Sequence, residues 1–406
     1  MSEIQSVGTY LPPWRLQDRR VPGPDEDALT MAVAAGRAAD PNASAHRVVM
    51  VSRDFPLLEG GNGAVLLAGL SLPADVQVTE VLGGAPAVLD QLVAGGAGTL
   101  VIAADDCEHA AGAAAALLGD CGAAITSVAR RNGSLPTLAR GQDGGRHTYA
   151  DPRLQREVGV KSTLARLNLP DSPVIAVVAG AKAKELGLGF DTVAAQEDWS
   201  TSAAAVIRLI AAAIESRSDG LVLAIEQSMV TVAQLTNTVT APAVSRDETL
   251  VGELPKTRTD EGTGIPISLA AYARAFEPKL RWEAAIFDER PGIDSAPVFP
   301  PRMRVDSAGA LATEYRLEPL PRTGTIYTQT TIRIPVPDLP SPYSLAVVQL
   351  DDSSVRVLLK VTGAVAGGSS IGQAGSVVLR RIATRAGIPD YGYAFWPGRE
   401  SRGASR

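Results

Sequence analysis

Short aliphatic runs alternate with alanine-rich stretches of helical period over the first 240 residues, and this alternation predicts a layered α/β domain. The runs Val48–Val51, Leu100–Ala104, Val174–Val178 and Leu221–Ile225 are continuous and apolar, which marks strands buried on both faces. A helix is expected to start at Asp25: Pro24 precedes it, Asp25, Glu26 and Asp27 load its first turn, and Leu29, Ala32, Val33 and Gly36 share one face. A second helix runs from Ala85 to Ala94 and stops at Gly95-Gly96. A third, Ser202–Ile214, is apolar almost all round and is therefore expected to be buried. Helix, glycine turn and aliphatic strand occur as Val88–Ala104 and again as Val206–Ile225, so two similar halves are expected to pack face to face.

The pattern changes near residue 240. Thr238–Gly264 is rich in Thr, Pro, Glu and Gly and reads as a linker, followed by a short helix at Ile267–Phe276 and a proline-bearing stretch at Arg290–Arg304. Beyond it the period is two: Ile326, Thr328, Thr330, Ile332 and Ile334 alternate with Tyr327, Gln329, Thr331 and Arg333. Further strands are read at Leu345–Leu350, Val355–Val361 and Ser376–Ile382, and about five strands in this length suit a small all-β barrel. The expected organisation is an α/β domain at 1–240, a connecting region at 241–320, a barrel at 321–398 and a flexible polar tail at 399–406.

Composition narrows the function. With 406 residues there is room for two or three cores, and aromatics at 4% leave small aliphatics to fill them. A net charge of −6 argues against a nucleic-acid binder and a polybasic membrane anchor. The amino-terminal residues are polar and no apolar run has spanning length, so a cytoplasmic location is expected. There are two cysteines, Cys107 and Cys121, and three histidines, His46, His109 and His147. Such scarcity excludes a four-cysteine zinc ribbon and a disulfide framework.

Two resemblances give that scarcity its meaning. Ile4–Pro12 followed by Pro22-Gly23-Pro24-Asp25-Glu26-Asp27-Ala28-Leu29-Thr30-Met31-Ala32-Val33 resembles the start of archaeal-type hydroxymethylglutaryl-CoA synthases of the thiolase superfamily. Leu118-Gly119-Asp120-Cys121-Gly122-Ala123-Ala124 and Ala183-Lys184-Glu185-Leu186-Gly187 resemble two further segments of that superfamily. The resemblance implies a pruned thiolase-like α/β/α domain, and the superfamily's duplicated halves would explain the internal repeat. In the carboxy-terminal part, Thr323–Thr328, Pro342–Leu350 and Ile371–Gly375 resemble the OB-fold subunits that accompany thiolases in acyl-CoA complexes. Those subunits carry a zinc ribbon ahead of the barrel. Here Phe299-Pro300-Pro301-Arg302 of that ribbon is retained, while Phe287–Arg290 and Val305–Ala308 stand where its two cysteine pairs belong. Zinc needs thiolate or imidazole ligands and these stretches supply none, so the ribbon is expected to be vestigial and zinc-free.

The resemblance also implies a thiolate nucleophile at a helix head, a histidine and an asparagine. The matching positions lack all three: Val81–Pro86 has no cysteine or serine, Val174–Lys184 has no histidine, and the asparagine turn reads Glu197-Asp198-Trp199-Ser200. No catalytic residue is therefore assigned. The weak candidates are Cys107, flanked by carboxylates that raise its pKa, and His109 two residues on. Cys121 reads as a packing residue and His46 and His147 as loop residues. Trp199 reads as core or as a ligand or partner contact. Phe299 and Arg302 line a pantetheine path, meet a partner subunit, or form a rigid turn.

The expected function is a non-catalytic accessory subunit that docks a catalytic thiolase-type partner in an acyl-CoA acyltransferase or aldolase complex. No cofactor is expected to be bound covalently and no zinc, and acyl-CoA is a candidate ligand whose contact with this chain the sequence leaves open. Two alternatives remain: a stand-alone acyl-CoA lyase or condensing enzyme using carboxylates such as Asp105 or Asp198, and a homodimeric or larger homo-oligomeric acyl-CoA binding module.

Overall fold

The computed structural model describes residues 2–399, apart from 59, 108–109, 134–137, 143–144, 150, 188, 261, 263–268, 336, 338 and 386. By its contacts the chain divides into two compact units. The first holds residues up to 12, 34–55 and 75–248, and the second holds 13–33, 56–74 and the chain from 249 onward. Two segments of the first 240 residues thus group with the carboxy-terminal part.

The first unit is built on one long sheet whose strands are β1 (Ser2–Tyr10), β2 (Arg47–Ser52), β3 (Gln77–Leu82), β4 (Thr99–Asp105), β5 (Gly112–Gly119), β6 (Ala123–Asn132), β7 (Ile175–Ala179), β8 (Gln196–Asp198), β9 (Gly220–Glu226), β10 (Met229–Thr236) and β11 (Ala243–Asp247). Read from one edge, the order is β3-β2-β4-β5-β1, and from the other it is β8-β7-β9-β10-β6. Both halves therefore have the order 3-2-4-5-1, and in both the fifth strand runs antiparallel to its neighbours while the second, third and fourth are parallel. The halves join where β1 lies antiparallel to β6, with Ile4 opposite Ala123, and β11 adds in parallel to β1. The repeat expected from helix, turn and strand is thus a full duplication.

Of the helices, α1 (Ala28–Ala39), α2 (Gly63–Leu70) and α3 (Ala85–Ala94) precede β4, and α4 (Ala205–Glu215) precedes β9. Helix α2 belongs to the second unit, and the division falls within α1 after Val33. Helices α3 and α4 are the equivalent helices of the two halves. They touch each other, and each touches strands of both halves. Val88, Leu89 and Leu92 of α3 and Val206, Ile207 and Ile210 of α4 share one apolar cluster with Val101, Val177 and Val222. Each such buried side chain contributes roughly 1.5–3 kcal/mol. Strand β5, Gly-Ala-Ala-Ala-Ala-Leu-Leu-Gly, is built of poor strand formers and is buried almost throughout. Tertiary packing overrides propensity there, because alanines let helix and sheet approach closely. Gly8 serves the same end: a Cβ there would lie 2.3 Å from the Ala35 carbonyl oxygen of α1.

The second unit contains a closed barrel of β12 (Thr323–Ile332), β13 (Tyr343–Leu350), β14 (Arg356–Val361), β15 (Ala374–Arg385) and β16 (Ile388–Pro397), closing in the order β12-β13-β14-β16-β15. Ahead of it, α5 (Leu269–Arg281) extends beyond the helix expected at Ile267–Phe276, whose first two residues lie outside the described residues. Between helix and barrel, short antiparallel pairs at Glu283–Ile286 with Arg316–Pro319, and at Arg304–Val305 with Leu311–Ala312, enclose Ala285, Phe287, Ile293 and Ala312.

The acidic trio differs most from expectation. The helix starts at Ala28, so Asp25, Glu26 and Asp27 precede it instead of forming its first turn. Asp27 caps it: the Asp27 carboxylate accepts from the Thr30 N–H at 2.9 Å, and the Thr30 hydroxyl accepts from the Asp27 N–H at 2.9 Å. The second Asp27 oxygen accepts from the Tyr391 hydroxyl of β16 at 2.8 Å. Glu26 pairs with Arg380 of β15 at 3.2 Å, both side chains being 1% exposed. The guanidinium also donates to the Thr362 hydroxyl and the Leu379 carbonyl and lies 5.4 Å from the Trp396 ring. The trio thus anchors this segment to the barrel strands of the same unit. Removing one member of such a pair strands the other charge, so Glu26→Gln or Arg380→Met each costs about 3–5 kcal/mol in urea unfolding, and the double variant costs clearly less than their sum. Additive costs would show that the two charges are not coupled.

Candidate functional site

Strands β4 and β9 occupy the same place in the two halves, have seven residues each, and end in an acid: Asp105 and Glu226. The duplication carries each carboxylate to the head of the other half's helix. Asp105 Oδ2 accepts the N–H of Ala203, just ahead of α4, at 2.6 Å. Glu226 stands at Gly84, the residue that caps α3, where an added Cβ would lie 2.5 Å from its Oε2. Partial positive charge at both helix heads favours carboxylates in these positions.

Arg53, the residue after β2, joins the two. Its Nη1 lies 2.6 Å from Glu226 Oε1 and its Nε lies 4.0 Å from Asp105 Oδ2. Its backbone N–H donates to Asp105 Oδ1 at 2.8 Å, and Nε donates to the Thr201 carbonyl. The Ser52 hydroxyl reaches Asp105 Oδ1 at 3.3 Å. Asp105 is 2% exposed, and burial pushes its carboxyl up to about 6, against the pull of the Ala203 and Arg53 N–H groups and the Arg53 charge. A carboxyl titrating near 6 has the acidity of a general acid or base. Both of its oxygens are already engaged by donors, however, and the ion pair fills the space at Gly84. The site as it stands is a polar plug, with Asp105 buried and Arg53 and Glu226 partly exposed, where the resemblance expects a nucleophile.

Cys107 lies two residues past Asp105 and is partly buried, while His109 lies outside the described residues. Cys121 is exposed, which corrects its reading as a packing residue: it follows β5 in the turn to β6, not in the core. Trp199 is 60% exposed, so the core reading is also corrected. Its ring carries Lys182 Nζ at 4.7 Å and borders a cavity of about 500 Å³ shared with Asp198, Arg208 and Arg246. Those arginines are engaged by acids, Arg246 with Glu215 at 2.6 Å and Arg208 with Glu248 at 3.7 Å. In the second unit, Phe299 packs edge-on against Trp282 at 4.9 Å, and Trp282 packs on Tyr393 at 4.8 Å, while Arg302 is exposed. Where the ribbon's cysteine pairs are expected, Phe287 is buried against Ile293 and Ala312, and Asp306 accepts the N–H groups of Ala308 and Ala310. Among the described residues no cluster of three or more His, Cys, Asp or Glu side chains is placed to hold a metal ion. No helix among the described residues is long and apolar enough to cross a membrane.

Sequence reasoning missed Arg53 and Glu226. Aligning Leu100–Asp105 on Leu221–Glu226 as repeats would have put the two strand-end acids in register.

Residues 317–380 match the family model of the ChsH2 C-terminal OB-fold domain. No curated protein matches the chain. Among solved structures, 3-oxoacyl-[acyl-carrier-protein] synthase III from Aquifex aeolicus is 15% identical with a TM-score of 0.45, over 59% of this chain and 100% of that one. OleA from Xanthomonas campestris is 14% identical with a TM-score of 0.47, over 58% and 98%. The curacin-pathway HMG synthase, solved with an acetyl donor-ACP, is 13% identical with a TM-score of 0.42, over 58% and 80%. These overlaps are loose. The chain's own marks are its duplicated strand order and the closed barrel over the matched OB-fold region.

The Asp105 carboxyl makes stability depend on pH. Its folded value of about 6 lies above the ordinary 3.8, so the neutral form favours folding: the contribution is complete below 3.8 and is lost as pH rises through about 6. The loss is on the order of 3 kcal/mol. Unfolding free energies of wild type and Asp105→Asn, compared from pH 4 to pH 7, therefore diverge, wild type losing stability relative to the variant as pH rises. A constant difference would mean that Asp105 stays ionised throughout.

Proposed function

We propose that this chain is a non-catalytic subunit of a thiolase-type acyl-CoA complex, docking a catalytic partner and shaping the acyl-CoA path. The observation that carries this reading is the Arg53–Glu226 ion pair at Gly84: it stands at the helix head where the sequence resemblance expects a thiolate, and the stretch Val81–Pro86 has none to offer. The OB-fold match supports the same reading, because the subunits this region resembles accompany thiolases. The apolar packing of Phe287, Ile293 and Ala312 gives the ribbon-like stretch a core built without thiolate ligands, so no zinc is needed to hold it. The solvent-facing Trp199 and Arg302 are the contacts offered to acyl-CoA or to the partner, and a cytoplasmic location suits such a complex.

One observation favours a second reading, an acyl-CoA lyase working by acid–base chemistry: Asp105 is buried and titrates near neutrality. The two readings separate in one experiment. The chain, purified alone, is assayed for acyl-CoA condensation and carbon–carbon cleavage, and then again with a thiolase-type protein encoded beside it. The scaffold reading expects no turnover alone, turnover with the partner, and less than a twofold effect of Asp105→Asn beyond its effect on folding. Turnover by the isolated chain that falls about 10²–10⁴-fold on Asp105→Asn would establish the lyase instead. A homo-oligomeric binding module would show a multiple of 42.2 kDa in solution and no association with the partner.

A further inference from the structure

The second unit holds a cavity of about 220 Å³ that is separate from the strand-end plug of the first. Trp14, Pro255, Tyr343 and Val365 give it apolar walls, and Asp25 and Lys360 give it charge. Lys360 lies on β14, where the alternation of the strand turns it away from the barrel interior, and its ammonium sits 5.5 Å from the Tyr343 ring. Among the described residues it has no hydrogen-bond or ion-pair partner. Asp25 is 6% exposed, and its backbone carbonyl is held by the Arg381 N–H while its carboxylate has no such partner among the described residues. The two charges line one cavity without forming an ion pair. Lys360 is half-buried, and desolvation holds its pKa below its ordinary value despite the charge of Asp25. The cavity supplies what the ammonium lacks: room for an acceptor.

We infer that this cavity is a binding site for a small carboxylate carrying a hydroxyl or amino group a few atoms from its head, the carboxylate on Lys360 and the donor group on Asp25. A single ammonium, with no arginine fork among the lining residues, suits a monoanion better than a phosphate, which is held by several convergent donors. Asp25 rejects a purely anionic ligand and rewards a donor, while the proline and aromatic walls take a short aliphatic body. Lys256 on the rim adds a second positive charge, so that the site favours an anion overall.

The test is calorimetric titration of the full-length chain with butyrate, β-hydroxybutyrate, γ-aminobutyrate and inorganic phosphate. The hydroxy or amino acid should bind more tightly than butyrate, and Lys360→Met should weaken all three carboxylates by at least about tenfold, the value of a lost charge-assisted hydrogen bond. Asp25→Asn should leave butyrate binding intact or tighter and abolish the preference for the donor-bearing acids. Thermal unfolding of both variants verifies that they are folded, and Lys360→Arg, which keeps the charge, should retain more binding than Lys360→Met. Binding of phosphate alone, failure of every carboxylate to bind the wild type, or carboxylate affinities untouched by Lys360→Met in a folded variant would overturn the assignment.

Discussion

Two helix heads and two carboxylates meet in the middle of the first unit, and a single guanidinium holds them together. The meeting is forced by the duplication: when a half ends its fourth strand in an acid, the copy does too, and the strand order 3-2-4-5-1 points both acids at the helices packed between the halves. Unpaired, the buried Asp105 and half-buried Glu226 carboxylates would repel each other in that space. Arg53 resolves this by pairing with Glu226, while Asp105 takes the N–H ahead of α4. The glycine at position 84 follows from giving this volume to an ion pair, since an added Cβ would lie 2.3 Å from Arg53 Nη2. A cysteine side chain at Gly84 would need the space the guanidinium holds.

The second unit solves a like problem differently. Glu26 and Arg380 are as buried as any charged pair among the described residues, yet the guanidinium also finds the Thr362 hydroxyl, the Leu379 carbonyl and the face of Trp396. Each polar direction is answered, which is the condition under which a buried pair fixes geometry instead of merely costing energy. The segment carrying Asp25, Glu26 and Asp27 is thereby held to β15 and β16 by three separate contacts, through the Asp25 carbonyl, the Glu26 carboxylate and the Asp27 carboxylate. A motif that in the sequence looks like a helix start is in the structure also a seat for the barrel.

What could be read from the sequence divides along the range of the interaction. Strands such as Leu100–Ala104 and helices such as Ala85–Ala94 were legible because apolar period and glycine stops are local signals, and the Val88–Ala104 and Val206–Ile225 repeat foretold the duplication. Strand β5 was not legible, since four alanines in a row carry helical propensity and only the packing of α4 against them makes a strand the better choice. Trp199 was misread as core because an aromatic before a buried helix is usually buried, whereas this one turns outward beneath Lys182. The site suffered most. Arg53, Asp105 and Glu226 come together over 52 to 173 positions of chain, and nothing at Arg53 itself distinguishes it from a surface arginine.

That asymmetry bears on how the Asp105 site is to be understood. Val81–Pro86 carries no cysteine and Val174–Lys184 no histidine, which is compatible with an unfilled cavity, a new catalyst or a structural plug. The positive observation is where the donors fall on the Asp105 carboxyl. A carboxyl near neutrality would serve a new catalyst if one of its oxygens were free, but Asp105 has the Ala203 N–H on one oxygen and the Arg53 N–H and Ser52 hydroxyl on the other. A general base needs a lone pair directed at substrate. With donors on both oxygens and the guanidinium beside Gly84, the proton on Asp105 enters the energetics of folding.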